Sequence, residues 1–205
     1  MKIIGCFGQM GNGKDVVANQ IVKQLGSPWR RLGLADAVKQ VFMDSFNVTL
    51  DFIEQWKRKD QVPPGFDLNV RKGLQQIGDG FRKIQGDVWI RITMRQSEII
   101  ISDGRYVNEA KAFKSRGGLN ILLWRPGFEN NDPNPSEAQI KPFVDFCAKN
   151  YKDGPIPFDI ENQIEFGVPE LANFDYFLIN DGSVEDLHKK IDEQVVPYLK
   201  SRDKK

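Results

Sequence analysis

The sequence predicts an α/β fold of three layers, in which a five-stranded parallel sheet carries helices on both faces. Three observations support this prediction. Residues 3–22 run from an apolar strand through a glycine-rich turn into an amphipathic helix. A second apolar run, at 98–103, ends in an acid. Elsewhere, strand-like and helix-like segments alternate along the chain, which favours parallel strands joined by right-handed crossovers.

Composition limits the class of protein before any motif is considered. The chain has 205 residues, which suits one domain with a sizeable core. Its formal charge of +1 argues against a non-specific binder of nucleic acid or membranes. No apolar run approaches the ~20 residues that span a bilayer. Because the first residues read as a strand, no signal peptide is expected. Because Cys6 and Cys147 are isolated, we expect reduced thiols in a cytoplasmic protein.

The glycine-rich turn has the spacing of a phosphate-binding loop. Gly8 and the pair Gly13-Lys14 match the pattern G-x-x-x-x-G-K-[S/T]. Glycines let backbone N–H groups converge on an anion, and the following helix adds the positive end of its dipole. Lys14 is then placed to reach the β- and γ-phosphates. The residues predicted to bind the nucleotide are Gly8, Gly11, Asn12, Gly13, Lys14, Asp15 and Val16.

Asp15 departs from the usual loop, in which Ser or Thr offers a hydroxyl to Mg²⁺. A carboxylate here adds negative charge beside phosphates, which is tolerable if a cation or an arginine lies between them. The simpler alternative is an ordinary turn in which Asp15 is a favourable acid at a helix start, worth ~0.3–1 kcal/mol. The strand–loop–helix context favours the phosphate loop over this alternative.

The run at 98–103 resembles the second magnesium-binding element of such proteins. Three isoleucines precede Ser102 and Asp103. A buried strand that ends in an acid is typical of the Walker B motif, whose Asp acts on Mg²⁺ directly or through water. Many buried strands end in Asp, so this segment is weak evidence alone and becomes good evidence because a phosphate-binding loop precedes it in the same chain. We therefore predict that Asp15 and Asp103 position Mg²⁺ or its waters.

The remaining segments are predicted to surround this core. We divide a single domain, 1–205, into a core (1–35, 98–125 and 170–200), an acceptor-binding helical region (about 36–97) and a lid (about 126–169). Strands are expected at 3–7, 30–35, 98–103, 120–124 and 174–179. Helices are expected at about 14–25, 36–46, 49–62, 69–84, 108–116, 136–151 and from 183, with a further helix that is capped by Asp87 and includes Trp89 and Ile92. The lid region contains many Pro, Gly and Asn residues, which is typical of lids and binding loops.

Two helices carry patterns that predict their buried sides. From Asn69, apolar residues recur at steps of four and three, which predicts one buried face. Its members are Val70, Leu74, Ile77, Phe81 and Ile84. In the last helix Ser183 is the predicted N-cap. The residues expected to face the core there are Val184, Leu187, Ile191, Val195 and Leu199.

A phosphate loop indicates a nucleotide but leaves the reaction open. The chain is too short for most motor or translocase modules, and it lacks the Asn-Lys-x-Asp motif of GTPases. Small P-loop kinases have about this length. They need an acceptor pocket, a lid and arginines that neutralise the transferred group. The candidate arginines are Arg71, Arg82, Arg105 and Arg125.

Five segments, in the right order, resemble the phage-type deoxynucleoside monophosphate kinases, a branch of the P-loop nucleotide kinases. They are Gly13-Lys14-Asp15, Ala-Asp-Ala-Val-Lys at 35–39, the helix with Arg71, Leu74, Gln75 and Gly78, Ser-Asp-Gly-Arg-Tyr-Val-Asn-Glu-Ala at 102–110, and Ile-Asn-Asp-Gly-Ser at 179–183. The first is similar to the G-K-D loop of that group, so the resemblance accounts for Asp15.

The resemblance implies transfer of the ATP γ-phosphoryl group to a deoxynucleoside 5′-monophosphate with Mg²⁺, giving the diphosphate and ADP. It implies a transferase of deoxynucleotide biosynthesis in the cytoplasm (that of the host if phage-encoded), without nucleic-acid or membrane partners, with a homodimer left open. The implied catalytic residues are Lys14, Asp15, Arg105 and Arg125. Arg71 and Arg82 would grip the acceptor phosphate and Gln75 its base, while Asp36 and Lys39 complete the predicted acceptor set.

Several alternatives stay open at this stage. Asp36 lies near a helix start, where an N-cap is the commoner role. Arg125 could serve a surface salt bridge, and Gln75 could be a solvent-facing helix residue. The acceptor could also be another small phosphorylated molecule, of the dephospho-coenzyme A or phosphomevalonate type. A protein of another class, a non-catalytic nucleotide-binding module, would bind ATP without acceptor-dependent turnover.

Overall fold

A computed structural model describes residues 2–59, 61–128, 135–157 and 167–203. Within the predicted lid, 129–134 and 158–166 lie outside the described residues. Contacts divide the chain into two compact units. We call them the sheet unit (Met1–Leu32 with Gln96–Lys205) and the helical unit (Gly33–Arg95). The predicted roles of core, acceptor region and lid remain predictions.

The sheet unit is built on six strands in the order β2-β3-β1-β4-β6-β5. They are β1 (Ile3–Phe7), β2 (Arg30–Leu32), β3 (Ile99–Gly104), β4 (Leu119–Trp124), β5 (Gly154–Pro155) and β6 (Tyr176–Ile179). All neighbouring strands are parallel except β5, which runs antiparallel to β6. The predicted α/β fold with a parallel sheet is therefore confirmed. The predicted count of five strands is wrong, because a two-residue strand from the predicted lid pairs with the open edge of β6.

Helices connect most of the strands, and several helices follow one another between β2 and β3. The helices are α1 (Lys14–Leu25), α2 (Leu34–Phe46), α3 (Leu50–Trp56), α4 (Val70–Ile84), α5 (Val88–Thr93), α6 (Val107–Ser115), α7 (Pro135–Asn150), α8 (Val184–Lys190) and α9 (Val196–Asp203), with a 3₁₀ turn at Pro169–Asn173 and a π-helical segment at Ile191–Val195. No helix in the described part of the chain is long and apolar enough to cross a membrane.

The core of the sheet unit lies on both faces of the central strands. The isoleucines of β3 are fully buried, as expected for a parallel strand covered on two sides. One face packs against α1 and the C-terminal helices. On the other face, the Phe7 ring lies 5.9 Å from the Phe113 ring of α6 and 5.4 Å from that of Phe174. Helices thus cover the sheet on both sides, which gives the three predicted layers.

The start of α2 differs from its prediction. β2 ends at Leu32, three residues earlier than expected, and Gly33 occupies the N-cap position of α2. Asp36 is the third residue of the helix, where its Oδ2 accepts a hydrogen bond of 2.7 Å from the Gly33 N–H. The predicted N-cap position of Asp36 is therefore wrong by three residues. Its carboxylate still satisfies a backbone donor at the helix start, as in a capping box.

The helical unit buries only part of the apolar face predicted for α4. Val70 is fully buried in a cluster with Phe42 and Ile53. The prediction is wrong at the last turn, because Phe81 is 40% exposed and Ile84 is 83% exposed. The sequence period shows which residues share a face, but the length of that face that meets a neighbour depends on tertiary packing.

The C-terminal helices match their predicted pattern with one exception. The Ser183 hydroxyl accepts a 3.1 Å hydrogen bond from the Asp186 N–H, which confirms the predicted N-cap. Four of the five predicted core residues are buried, namely Leu187, Ile191, Val195 and Leu199. Val184 is exposed, because it is the first helical residue and precedes the turn that meets the sheet.

Candidate active site

The loop between β1 and α1 lies at the carboxyl edge of the sheet. β1 is flanked by β3 and β4, and Phe7 pairs with Gly104 on one side and with Leu122 on the other. The loop therefore leaves the sheet beside the end of β3, which carries Ser102 and Asp103. Open parallel sheets bind their ligands at this edge.

Two glycines of the loop are required by its shape. Gly13 has a φ of 95°, and a Cβ there would lie 2.8 Å from the Nδ2 of Asn180. Gly11 has a φ of 86°, and a Cβ there would lie 2.2 Å from the ring of Phe128. Both positions combine a left-handed backbone with a close neighbour, so a larger residue would displace the loop.

Lys14 is held inside the curve of the loop. Its side chain is buried, and its Nζ donates to the backbone oxygens of Gly8 at 2.6 Å and Gln9 at 2.7 Å. The ammonium group is thereby kept at the loop rather than extended into solvent. This is the position from which a lysine can exchange loop carbonyls for phosphate oxygens.

Two amide side chains brace the loop from below. The Nδ2 of buried Asn12 donates to the Leu123 carbonyl of β4 at 2.9 Å. Asn180, which follows β6, donates from its Nδ2 to the Asn12 carbonyl at 3.1 Å. The Asn180 N–H also donates to the Trp124 carbonyl at 2.7 Å. Asn12 was predicted at the nucleotide, and its side chain supports the loop against the sheet. Asn180 was not predicted, although it lies in the Ile-Asn-Asp-Gly-Ser segment.

An arginine accompanies the unusual Asp15. The Nη1 of Arg31, on β2, lies 2.5 Å from the Oδ1 of Asp15. The same nitrogen donates to the Oγ of buried Ser102 at 3.4 Å. Arg31 thus joins the end of the loop to the end of β3. Sequence reasoning missed it, because only the order of the strands in the sheet brings β2 beside β3.

The turn after β3 places two predicted residues. Asp103 is half-buried at the end of the strand. Arg105 follows Gly104, and its backbone N–H donates to the Oε2 of buried Glu109 at 2.9 Å. The Tyr106 N–H donates to the same oxygen at 3.0 Å. Glu109 therefore fixes the chain direction beyond β3, and with it the position of Arg105 at this edge of the sheet.

The segment after β4 reaches the phosphate loop through one aromatic ring, that of Phe128. The guanidinium carbon of Arg125 lies 5.6 Å from the centre of the Phe128 ring, within cation–π range. The edge of that ring lies against Gly11. The structure thus brings Arg125 to the neighbourhood of the loop. Phe128 was not predicted, because nothing in the local sequence indicates which way this segment turns.

The Asp36–Lys39 pair of the helical unit is engaged in an ion cluster. The Nζ of Lys39 donates to the Oδ1 of Asp36 at 2.9 Å and lies 3.4 Å from the Oε1 of Glu54. Burial opposes the charged form of Lys39, but the two carboxylates outweigh it and raise the pKa of Lys39. Burial likewise opposes the charge of Glu54, whereas Lys57 and Lys39 lower its pKa. Both predicted acceptor residues therefore already have charged neighbours.

The other predicted acceptor residues share one side of α4. Arg71 and Gln75 are exposed and one turn apart, and Arg82 is half-buried two turns further on. The Nη1 of Arg82 donates to the Oδ1 of Asp79 at 3.2 Å. Their role as an acceptor site stays a prediction.

The donors at the sheet edge fit Mg²⁺ by their chemistry. Mg²⁺ prefers hard oxygen ligands and is usually bound through one or two carboxylates together with substrate phosphates. Asp15 and Asp103 supply carboxylates at the end of the loop and at the end of β3, respectively. These residues are the ones that would hold the ion or its waters.

A relative from Acanthamoeba polyphaga mimivirus, described as "Putative deoxynucleotide monophosphate kinase", is 27% identical over 162 residues, which are 69% of this chain and 83% of the relative. No protein-family model matches the chain.

Solved structures of small kinases also align with the chain. Shikimate kinase from Aquifex aeolicus aligns over 98% of both chains at 15% identity, with a TM-score of 0.47. Dephospho-CoA kinase from Campylobacter jejuni aligns over 98% of both chains at 15% identity, with a TM-score of 0.41. These scores are too low to bear on the substrate. The resemblance to deoxynucleoside monophosphate kinases, predicted from five motifs, is instead confirmed by the sequence similarity to the mimiviral relative.

Proposed function

We propose that this protein transfers the γ-phosphoryl group of ATP to a deoxynucleoside 5′-monophosphate, giving ADP and the diphosphate. The observation that carries the proposal is the loop at 8–15, in which Lys14 is buried against loop carbonyls beside the end of β3. The mimiviral relative supports the deoxynucleotide class of acceptor. The reaction then follows from positioning and charge neutralisation.

Lys14 would neutralise the transferred group. On binding, its Nζ would leave the carbonyls of Gly8 and Gln9 for oxygens of the β- and γ-phosphates. The exchange costs little, because charge-assisted hydrogen bonds to phosphate replace those to neutral carbonyls. The glycine backbone and the first turn of α1 would hold the same phosphates.

Asp15 and Asp103 would hold Mg²⁺ or its waters, and the bound ion would neutralise charge on the β- and γ-phosphates. Arg105 and Arg125 would contact the donor or the transferred group from the turns after β3 and β4. Arginine suits this task, since its planar fork binds phosphate through two hydrogen bonds. The Glu109 contact with the Arg105 backbone holds one of these turns in place.

Acceptor binding is assigned to the helical unit. Arg71 and Arg82 would bind the 5′-phosphate, and Gln75 would donate to or accept from the base. Lys39 is a weaker candidate for direct contact, because it already has Asp36 and Glu54 as partners.

The test is ADP formation from ATP with each deoxynucleoside and ribonucleoside monophosphate in turn, and with dephospho-coenzyme A and phosphomevalonate alongside. We expect turnover with one or more deoxynucleoside monophosphates. Turnover with either of the last two acceptors alone would assign a different substrate. ATP binding without turnover on any acceptor would indicate a non-catalytic module.

A further inference from the structure

Arg31 has no role in the proposed reaction so far, although it lies beside the phosphate loop. It lies on β2, next to β3 in the sheet, with Leu32 paired to Ile101. Its Nη1 contacts the Oδ1 of Asp15 at 2.5 Å and the Oγ of Ser102 at 3.4 Å. One guanidinium group therefore touches the last residue of the phosphate loop and the strand that carries Asp103.

The charge of Asp15 creates the need for such a partner. A phosphate loop attracts anions through backbone N–H groups and a lysine, and a hydroxyl at position 15 would leave that attraction intact. In the absence of Mg²⁺ and of a basic partner, a carboxylate directly after Lys14 would instead repel the incoming phosphates. Because Arg31 lies against that carboxylate, the pair is close to neutral when phosphates arrive.

An ordinary surface ion pair is the competing interpretation. The side chains of Arg31 and Asp15 are 44% and 69% exposed, and exposed pairs contribute little to stability. The contact with buried Ser102 distinguishes this arginine from such a pair, since it ties the guanidinium to the sheet. A role in ligand binding does not require the pair to stabilise the fold.

We propose that Arg31 is a positioning residue for the nucleotide, which neutralises and orients Asp15 so that a loop with an aspartate accepts phosphates. This rests on the proposed function, because it presumes that nucleotide phosphates bind at the loop. Arg31 acts through Asp15 in this proposal, so the two side chains must be coupled. Removing the arginine alone should harm binding more than removing both charges.

The experiment measures ADP affinity by calorimetry in EDTA, where metal ligation plays no part. The variants are Arg31→Gln, Asp15→Asn and the double variant. Arg30→Gln is the matched control, because it removes the same charge from the same strand, while the Arg30 side chain bonds to Gln96 instead. We expect Arg31→Gln to weaken ADP binding about tenfold, as a lone charge near the ligand would. Arg30→Gln should stay within about twofold of wild type.

The double variant decides the mechanism. We expect Asp15→Asn with Arg31→Gln to return ADP affinity to within about threefold of wild type, because no carboxylate is left uncompensated. If the double variant bound ADP as weakly as Arg31→Gln does, the proposal would be overturned, because Arg31 would then act on the ligand itself. Equal losses in Arg30→Gln and Arg31→Gln would also overturn it, by indicating a general effect of surface charge.

Two further arms keep the outcome interpretable. If Arg31→Gln fails to fold, Arg31→Lys replaces it, with Arg30→Lys as its control. Arg31→Lys keeps the charge without the planar fork, so we expect its loss of ADP affinity to be smaller than tenfold. If ADP affinity were unchanged both in Arg31→Lys and in Asp15→Asn, the orienting role would be overturned. Absence of ADP binding in the wild type would refute the proposed function rather than the role of Arg31.

Discussion

The two units of the molecule constrain their candidate residues to different degrees. In the sheet unit, Asn12 and Lys14 are buried, and their side chains donate to backbone oxygens at 2.6–2.9 Å. In the helical unit, Arg71 and Gln75 are exposed on α4. A phosphate cradle is made of backbone and must be fixed before the ligand arrives, whereas long side chains can adjust to it. The proposed donor site is therefore argued from geometry, and the proposed acceptor site from resemblance alone.

The largest expected effect is that of Lys14→Ala. Loss of a preorganised charge at the transferred group should lower kcat about 10²–10³-fold. Steady-state kinetics at saturating substrates measures it, and a thermal melt verifies folding. Lys23→Ala is the control, because Lys23 is an exposed lysine on the same helix. A near-normal rate in Lys14→Ala would refute the phosphate-loop assignment.

Arg71→Ala tests the helical unit. If Arg71 binds the acceptor phosphate, its removal should raise KM for the monophosphate about tenfold and leave KM for ATP nearly unchanged. Lys72→Ala is the matched control, since Lys72 is the exposed neighbour on the same helix. A larger change in KM for ATP would reassign α4 to the donor.

Lys190→Met tests how much the charged hydrogen bonds that follow β6 contribute to the stability of the sheet unit. The Nζ of Lys190 donates to the Oδ2 of Asp153 at 2.8 Å, to the Ile179 carbonyl at 2.9 Å and to the Oδ1 of Asp181 at 2.6 Å. Losing these charge-assisted bonds should lower the free energy of unfolding by about 1–3 kcal/mol. Chemical denaturation at pH 7 measures this, with exposed Lys189→Met as control. Equal stabilities of the two variants would contradict a stabilising role for these three hydrogen bonds of Lys190.

The contribution of Lys190, Asp153 and Asp181 to stability should also depend on pH. Burial opposes the charge of Lys190, but Asp153 and Asp181 outweigh it and raise its pKa above 10.5. A group whose pKa is higher in the folded state contributes fully below its unfolded pKa, and the contribution is lost as pH rises through the folded value. The stability difference between wild type and Lys190→Met should therefore shrink above pH 10.5. A difference that stays constant there would contradict the assignment.

The smallest expected effect concerns the thiols. Burial raises the pKa of Cys6 to about 12, although the charge of Lys14 opposes the shift, and burial raises that of Cys147 to about 12. We expect neither thiol to react with iodoacetamide in the native protein at pH 8, and both to react in guanidinium. Mass spectrometry measures the labelling, and rapid native labelling of Cys6 would contradict its burial beneath the loop.

Local chemistry explains what was predictable. The helix after the loop begins at Lys14 as expected, because glycine spacing, the strand before it and the helix after it are all encoded within 3–22. β5 was missed, because its two residues pair with a strand edge that is distant in sequence. Arg31, Phe128 and Asn180 were missed for a similar reason. Each of these side chains contacts the loop or the start of α1 from a different strand or from the segment after it. Only the order of the strands in the sheet brings these side chains to the loop.

The most direct test of the proposed reaction follows the phosphoryl group itself. ATP labelled in its γ-phosphate is incubated with the protein, Mg²⁺ and an unlabelled deoxynucleoside monophosphate, and the nucleotides are separated. We predict label in the deoxynucleoside diphosphate, with one ADP formed for each labelled product. Label found only in inorganic phosphate, or retained in ATP with every monophosphate although nucleotide binds, would contradict the proposed transfer.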